Sequence, residues 1–145
     1  MPLEYMKITA VYLNSIAKSL IGVPYKYYGR DLKGLDCFGL VITFFDLIGL
    51  KIADPVHYDP DWWSSHDYMT QYATTNFFQV ESPQCGDVLL VCVRESKVPN
   101  HAAIYLDNKF ILNVDQIVGT HLLYYYAIKN IVAGVYRCRD VELVA

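Results

Sequence analysis

A chain of 145 residues is long enough to bury one substantial core and too short for two ordinary domains, so 1–145 is expected to form a single domain. With 54% hydrophobic and 19% charged residues and no Gly/Ser-rich or Pro-rich stretch, the composition excludes a disordered tail or flexible linker. The net charge of −3 and the scattered Lys and Arg exclude a nucleic-acid surface. No apolar run approaches the ~20 residues of a membrane span and no basic-then-apolar leader opens the chain, so no membrane partner is expected and synthesis in the cytoplasm is.

Ile8, Val11, Tyr12, Ile16 and Leu20 recur at helical spacing until Gly22-Val23-Pro24 stops the pattern, which predicts a first amphipathic helix with that stripe in the core. Residues 24–36 form a loop that carries Tyr25, Tyr27 and Tyr28. The stretch 37–48 is apolar nearly all round and is followed by Gly49, a pattern that predicts a central, buried helix. Residues 51–76 are mixed, with Pro55, Pro60, the pair Trp62-Trp63 and a short helix expected from Ser64 or Ser65. Aromatics in such a connection either pack beneath it as a satellite core or wall a ligand cleft. Five strand-like runs follow, 77–80, 87–93, 101–106, 110–114 and 132–138, separated by turn residues. Strands in succession without long helices between them imply an antiparallel sheet, and helices followed by a sheet give an α+β fold.

Cys37, Cys85, Cys92 and Cys138 show no C-x-x-C spacing, which argues against zinc and against a disulfide scaffold. Cys37 stands where the turn-forming Gly34-Leu35-Asp36 runs into the second helix. Unpaired N–H groups and the positive end of the helix dipole at that place favour a thiolate, as a nucleophile requires. His101 opens a strand and Asn113 follows twelve residues later. A two-residue turn at Asp107-Asn108 would put the two on opposite faces, whereas a three-residue turn over 106–108, with Asn108 left-handed, would set them opposite one another on one face. In the second case His101 takes the Cys37 proton, the sulfur attacks a carbonyl, the imidazolium protonates the leaving amine, and Asn113 orients the ring. Asp115 shares the Asn113 face and is the alternative third member. The oxyanion would be held by the Cys37 N–H and a phenol from Tyr25, Tyr27 or Tyr28. No cofactor is required. His57, His66 and His121 have no partner pattern and are expected in surface or local hydrogen-bonding roles.

The segments Gly22-Val23-Pro24-Tyr25-Lys26-Tyr27-Tyr28-Gly29, Gly34-Leu35-Asp36-Cys37-Phe38-Gly39-Leu40-Val41, Gly86-Asp87-Val88-Leu89 and His101-Ala102-Ala103-Ile104-Tyr105-Leu106 resemble the NlpC/p-sixty cell-wall peptidases, over nearly the whole chain. The resemblance implies a papain-like fold and a cysteine endopeptidase acting on peptidoglycan stem peptides, between D-glutamate and a diamino acid. It implies Tyr25 as an oxyanion or substrate contact and Asp36 as a residue beside the substrate. The position after the nucleophile, usually Ser and aromatic in phage tail members, is Phe38, so a hydroxyl contact to substrate is missing. The third polar position, usually His, is Asn113. Phe38, the Trp62-Trp63 insertion as a candidate substrate wall, and the ending with Tyr124-Tyr125-Tyr126 are similar to the phage tail branch. That branch implies partner tail proteins and delivery to the cell wall on a particle. Two other readings stand beside it: a structural tail protein that kept the fold without the chemistry, and an intracellular papain-like amidase of recycled wall peptides.

Overall fold

Helix α2 (Cys37–Leu47) organises the molecule, because its residues are apolar on nearly every side and therefore need neighbours on nearly every side. The computed structural model describes residues 6–55, 58 and 68–144. Within them the chain runs through strand β1 (Met6–Thr9), helix α1 (Ala10–Leu20), a small hairpin of β2 (Arg30–Asp31) and β3 (Gly34–Leu35), α2, and helix α3 (Tyr68–Asn76). Strands β4 (Phe77–Val80), β5 (Val88–Val91), β6 (His101–Tyr105), β7 (Phe110–Asp115), β8 (Gly119–Tyr124), β9 (Val132–Cys138) and β10 (Val141–Val144) follow. This is an α+β fold of helices followed by a sheet. No helix among the described residues is long and apolar enough to cross a membrane. His57, His66, the Trp62-Trp63 pair and the helix start expected at Ser64 or Ser65 lie outside the described residues.

Six strands form one sheet in the order β4-β9-β5-β6-β7-β8, with every neighbouring pair antiparallel. Strand β5 is buried along its whole length, which explains its unbroken apolar sequence. Its Val88 and Leu90 join the main core with Leu13, Leu40, Val41, Phe44 and Phe45 from α1 and α2. Its Leu89 and Val91 join a smaller cluster with Ala103, Ile111 and Val135. Helix α2 lies across β6 and β7, the two strands that carry His101 and Asn113. Asp87, at the lead-in to β5, accepts hydrogen bonds from Arg137 Nε (3.0 Å) and Nη2 (2.9 Å) and from the Gln84 N–H (2.9 Å), fastening that lead-in to β9.

Helix α1 differs from its expected form. Thr9 caps it by accepting from the Tyr12 N–H (3.1 Å), so Ile8 belongs to β1, which pairs in parallel with β10. The buried stripe is Leu13, Ala17 and Leu20, while Val11 and Tyr12 face solvent. A stripe of three at spacings of four and three is the better helical register, and Ile8 had pulled the expected face round toward Val11 and Tyr12.

The β6–β7 connection is a three-residue turn, but it spans Asp107–Lys109 rather than 106–108, and Lys109 rather than Asn108 takes the left-handed conformation (φ +64°). Ile104 therefore pairs with Leu112 and Tyr105 with Ile111. The register is displaced by two residues from the expected one, and a shift of two preserves the face on which each side chain projects.

Close backbone contact fixes the start of α2. A Cβ added at Gly39 would sit 1.9 Å from the Gly29 carbonyl oxygen, a rigid backbone atom. Gly39→Ala is accordingly expected to lower stability by about 1–3 kcal/mol through overpacking, read as a lower urea midpoint with an unchanged slope.

Candidate active site

Asp36, the residue before α2, has its carboxylate filled with four donors, the capacity of its two oxygens. Oδ1 accepts from the Gly39 N–H (2.8 Å), which caps the helix, and from Arg30 Nη1 (2.8 Å). Oδ2 accepts from the Tyr28 N–H (3.0 Å) and from the Tyr58 hydroxyl. Arg30 continues the network by gripping Asp54 with Nε (3.0 Å to Oδ2) and Nη2 (3.0 Å to Oδ1) and by donating from Nη2 to the Tyr58 oxygen (2.7 Å). Asp36 borders the cavity described next, yet its carboxylate is spent inside the protein; its observed work is to hold the loop, the helix and therefore Cys37 in place.

Cys37 is the first residue of α2 and lies on a cavity of about 300 Å³ together with Tyr25, His101, Asn113 and Asp115. Only 6% of it is exposed. Burial pushes its thiol up to about 12, the Asp36 charge adds to the rise, and hydrogen bonds from the Ala102 and Phe38 N–H groups oppose it without prevailing. The thiolate expected from the helix terminus is thus not the resting form: desolvation of a buried anion outweighs the terminus. Cys37 and His101 line the same cavity, the arrangement expected of the two residues.

His101 Nε2 lies 2.6 Å from Asn113 Oδ1. An amide oxygen only accepts, so Nε2 carries the ring hydrogen and Nδ1 keeps a lone pair available as a base. Burial lowers the His101 pKa below its ordinary 6.5, against the opposing effects of the Asn113 hydrogen bond and the Asp115 charge. Thiol and imidazole are both neutral at neutral pH. Asp115, the alternative third member, instead closes the β7–β8 turn: its Oδ1 accepts from the Ile117 N–H (2.9 Å) and the Val118 N–H (2.7 Å). His121 has a local role, with Nδ1 2.8 Å from the Gly119 carbonyl oxygen.

Of the three phenols in the first loop, Tyr25 reaches the cavity. Tyr27 donates to the Tyr58 carbonyl and Tyr28 to that of Pro55 (3.4 Å). A bridge from Tyr25 to Leu35 holds its backbone beside the Asp36-Cys37 step. Burial raises the Tyr25 pKa, opposed by a hydrogen bond with the Gln116 side chain, so its hydroxyl stays protonated and able to donate. Phe38 is no cleft residue. It is fully buried, its ring 4.8 Å from that of Tyr58 and 5.2 Å from that of Tyr72, because one helical step of ~100° past Cys37 turns it into the core. Trp62 and Trp63, the other expected substrate contacts, lie outside the described residues.

Three polar lining residues escaped the sequence reading: Arg94, Asn100 and Gln116. Asn100 is buried and clamps Val93 in both directions, accepting from its N–H (2.7 Å) and donating to its carbonyl (3.1 Å). Its own N–H donates to Val91 O (3.0 Å), so the loop between β5 and β6 closes immediately before His101. An Asn beside the candidate base was the available signal.

A model of the NlpC/P60 family matches residues 22–137. Tail tip assembly protein K of Escherichia phage lambda is 38% identical over 82 residues, covering 54% of this chain; the match spans only 40% of that relative's length. Among solved structures, the NlpC/p60 domain of the peptidoglycan hydrolase SagA superposes with a TM-score of 0.61 at 17% identity, over 90% of this chain and 99% of that one. An NlpC/P60 family protein from Bacillus cereus gives 0.70 at 18%, over 94% and 41% of the two chains. RipD from Mycobacterium tuberculosis, a non-catalytic NlpC/p60 domain protein adapted to peptidoglycan binding, gives 0.58 at 16%, over 88% and 94%. At such identities the structural likeness establishes the papain-like fold, and the family model reaches from the loop before Tyr25 to strand β9. The chain belongs to the NlpC/P60 family.

Proposed function

We propose that this protein is a cysteine endopeptidase that cuts peptidoglycan stem peptides at a D-glutamyl–diamino acid bond, working as a component of a phage-type tail. The observation that carries the reading is the 2.6 Å contact between His101 Nε2 and Asn113 Oδ1 in the cavity bordered by Cys37. That contact leaves Nδ1 as the proton acceptor for a thiol at the head of a helix. As Sγ adds to the scissile carbonyl carbon, its proton passes to Nδ1. The oxyanion that forms is held by the Cys37 N–H and the Tyr25 hydroxyl. The imidazolium then protonates the amine nitrogen, the C–N bond breaks, and a thioester remains. Water that gives a proton to His101 hydrolyses the thioester, releasing a carboxylic acid and restoring the thiol. Asn113 holds Nε2–H throughout and fixes the ring.

The tail assignment is supported by the likeness to the lambda tail tip assembly protein. Tail proteins are then its partners, and the particle delivers it to the wall. Tyr124 and Tyr126, well exposed on and just after β8, are the described aromatic anchors for such contacts. A second reading, a peptidoglycan-binding protein without turnover, is favoured by the protonated, largely buried Cys37 and by the likeness to RipD. An intracellular amidase of recycled wall peptides is the third. Digestion of purified peptidoglycan by wild type and Cys37→Ala, with mass identification of released peptides, separates them: fragments made by wild type alone establish hydrolysis and name the bond.

Cys37→Ala and His101→Ala are each expected to cut kcat/KM by about a thousandfold or more, since nucleophile and base act as a unit. Asn113→Ala should slow hydrolysis by about 10- to 100-fold, the scale of an orienting partner, while Asp115→Ala retains most activity. The reverse order at these two positions would move the orienting role to Asp115.

The pH dependence has two expected signatures. His101 acts as base only when neutral, and its pKa is lowered, so the acid limb of kcat/KM should fall below pH 6.5, its ordinary value. The Cys37 pKa is raised, so the thiolate is scarcer in the folded than in the unfolded chain. Alkylation of Cys37 by iodoacetamide should therefore be slower in the native protein than in urea at about pH 8, and should still be rising at about pH 10. A plateau on the acid side of neutrality would instead indicate a preformed thiolate–imidazolium pair.

A further inference from the structure

We infer that the open edge of strand β8 takes up an extended, acidic segment of a partner tail protein as a further strand of the sheet, an inference that rests on the tail reading above. Strand β8 ends the six-strand sheet, so one of its edges has no strand beside it. Part of that edge is covered by the chain itself: the Gly22 N–H donates to Thr120 O (2.8 Å) and the Thr120 N–H donates to Val23 O (2.8 Å). Backbone groups alternate between the two edges of an antiparallel strand, so the N–H and C=O of Leu122 and the N–H of Tyr124 point the same way as those of Thr120. No backbone group among the described residues bonds to them.

Natural edges are ordinarily blunted by Lys, Pro or a bulge. Strand β8 reads Gly119-Thr120-His121-Leu122-Leu123-Tyr124, without Lys or Pro, and its register with β7 is unbroken along its length. Leu122 and Tyr124 are themselves exposed, so an added strand meets apolar surface beside the free backbone groups.

The far end of this edge is basic. Exposed Tyr126, two residues past β8, has Lys109 Nζ 5.4 Å and Lys129 Nζ 5.8 Å from its ring centroid, and Lys109 also donates to its hydroxyl (3.2 Å). Two like charges are thus gathered at one ring. Neither lysine is in an ion pair among the described residues, and Asp107, the acid nearest Lys109 in sequence, accepts instead from Asn14 Nδ2 of α1 (3.4 Å). The hydrogen bond from Lys109, then its charge and that of Lys129, lower the Tyr126 pKa, so the positive field reaches the hydroxyl. An Asp or Glu of a partner would relieve the repulsion between the lysines. A second copy of this chain fits poorly. Its β8 brings no acid to them, and antiparallel pairing about Leu122 and Tyr124 would set its residues beyond Tyr124 against the Gly22-Val23 segment. Because the free stretch is short, its backbone bonds fix direction while the aromatics and lysines supply affinity and partner choice.

The test expresses the chain with the genes that flank its own, purifies the particles and treats them with a carbodiimide, which joins an amine directly to a carboxylate in contact with it. Mass identification should find Lys109 or Lys129 joined to an Asp or Glu of a tail protein. Lys109→Glu/Lys129→Glu should lower the amount of the chain in particles by about 10-fold or more, the effect of setting like charges against each other at an interface. Leu122→Pro should lower it likewise, since an edge strand tolerates Pro yet loses its outward N–H. Both lysines are on the surface, so the Glu variant decides the matter if the Pro variant fails to fold. Undiminished incorporation of the Glu variant overturns the inference and leaves the tail reading intact. Cross-links between two copies of the chain would overturn it in favour of self-association. Loss of binding to isolated cell walls by the Glu variant, with incorporation undiminished, would overturn it in favour of a wall-polymer site. Absence of the wild-type chain from assembled particles would sink the tail reading and this inference together.

Discussion

The carboxylate of Asp36 is the constraint on which the site depends. A buried charge needs partners for all its lone pairs, and this one finds them in four separate pieces of chain: Gly39 at the helix start, Tyr28 in the preceding loop, Arg30 in the hairpin and Tyr58 in the connection beyond α2. Losing any one donor would leave acceptor capacity unfilled in the interior, so the four pieces are fixed relative to one another. Cys37 follows directly in sequence and inherits that rigidity. The cost is electrostatic, because the same negative charge beside the sulfur disfavours a thiolate.

The resting chemistry follows from that balance. With the thiol and imidazole both neutral, the site need not stabilise a buried ion pair before substrate arrives. In the proposed peptidase reaction, charge would develop only during attack, when the sulfur proton moves to His101 and the oxyanion forms near Tyr25 and the Cys37 N–H. An uncharged orienting residue suits such a site: Asn113 fixes the ring by accepting from Nε2–H and adds no second carboxylate to a cavity already bordered by Asp36 and Asp115. The same economy explains why Asp115, nearby and charged, is occupied with backbone N–H groups of its own turn.

Much of the fold was legible because strong local patterns carried it. Strands β4 and β9 fall where their apolar runs placed them, and α2 begins at Cys37 because Asp36 is a good cap followed by an apolar helix former. Strands β1 and β10 were hidden, since each is short and its partner lies at the far end of the chain. Strand β8 was hidden for a different reason: it is an edge strand whose alternating pattern is diluted by Gly119 and His121. The α1 stripe was misread because Ile8 fits a helical period by coincidence while its backbone is in a strand.

The sequence by itself determined the parity of three residues that meet at one cavity: a thiol at a turn-to-helix switch, a His opening a strand, and an Asn an even number of residues further along the same hairpin. Such features are local, and a register shift of two residues leaves them unchanged. Only the tertiary structure decided protonation and exposure. Whether Cys37 rests as thiol or thiolate depends on the burial that α2, β6 and the first loop impose together, and whether Phe38 faces the cleft or the core depends on what packs against α2. The placing of Arg94 at the cavity likewise comes from a turn held by Asn100, six residues away and across a loop whose path no local pattern encodes. Desolvation and packing are sums over neighbours distant in sequence, which is why those properties emerge only once the chain is folded.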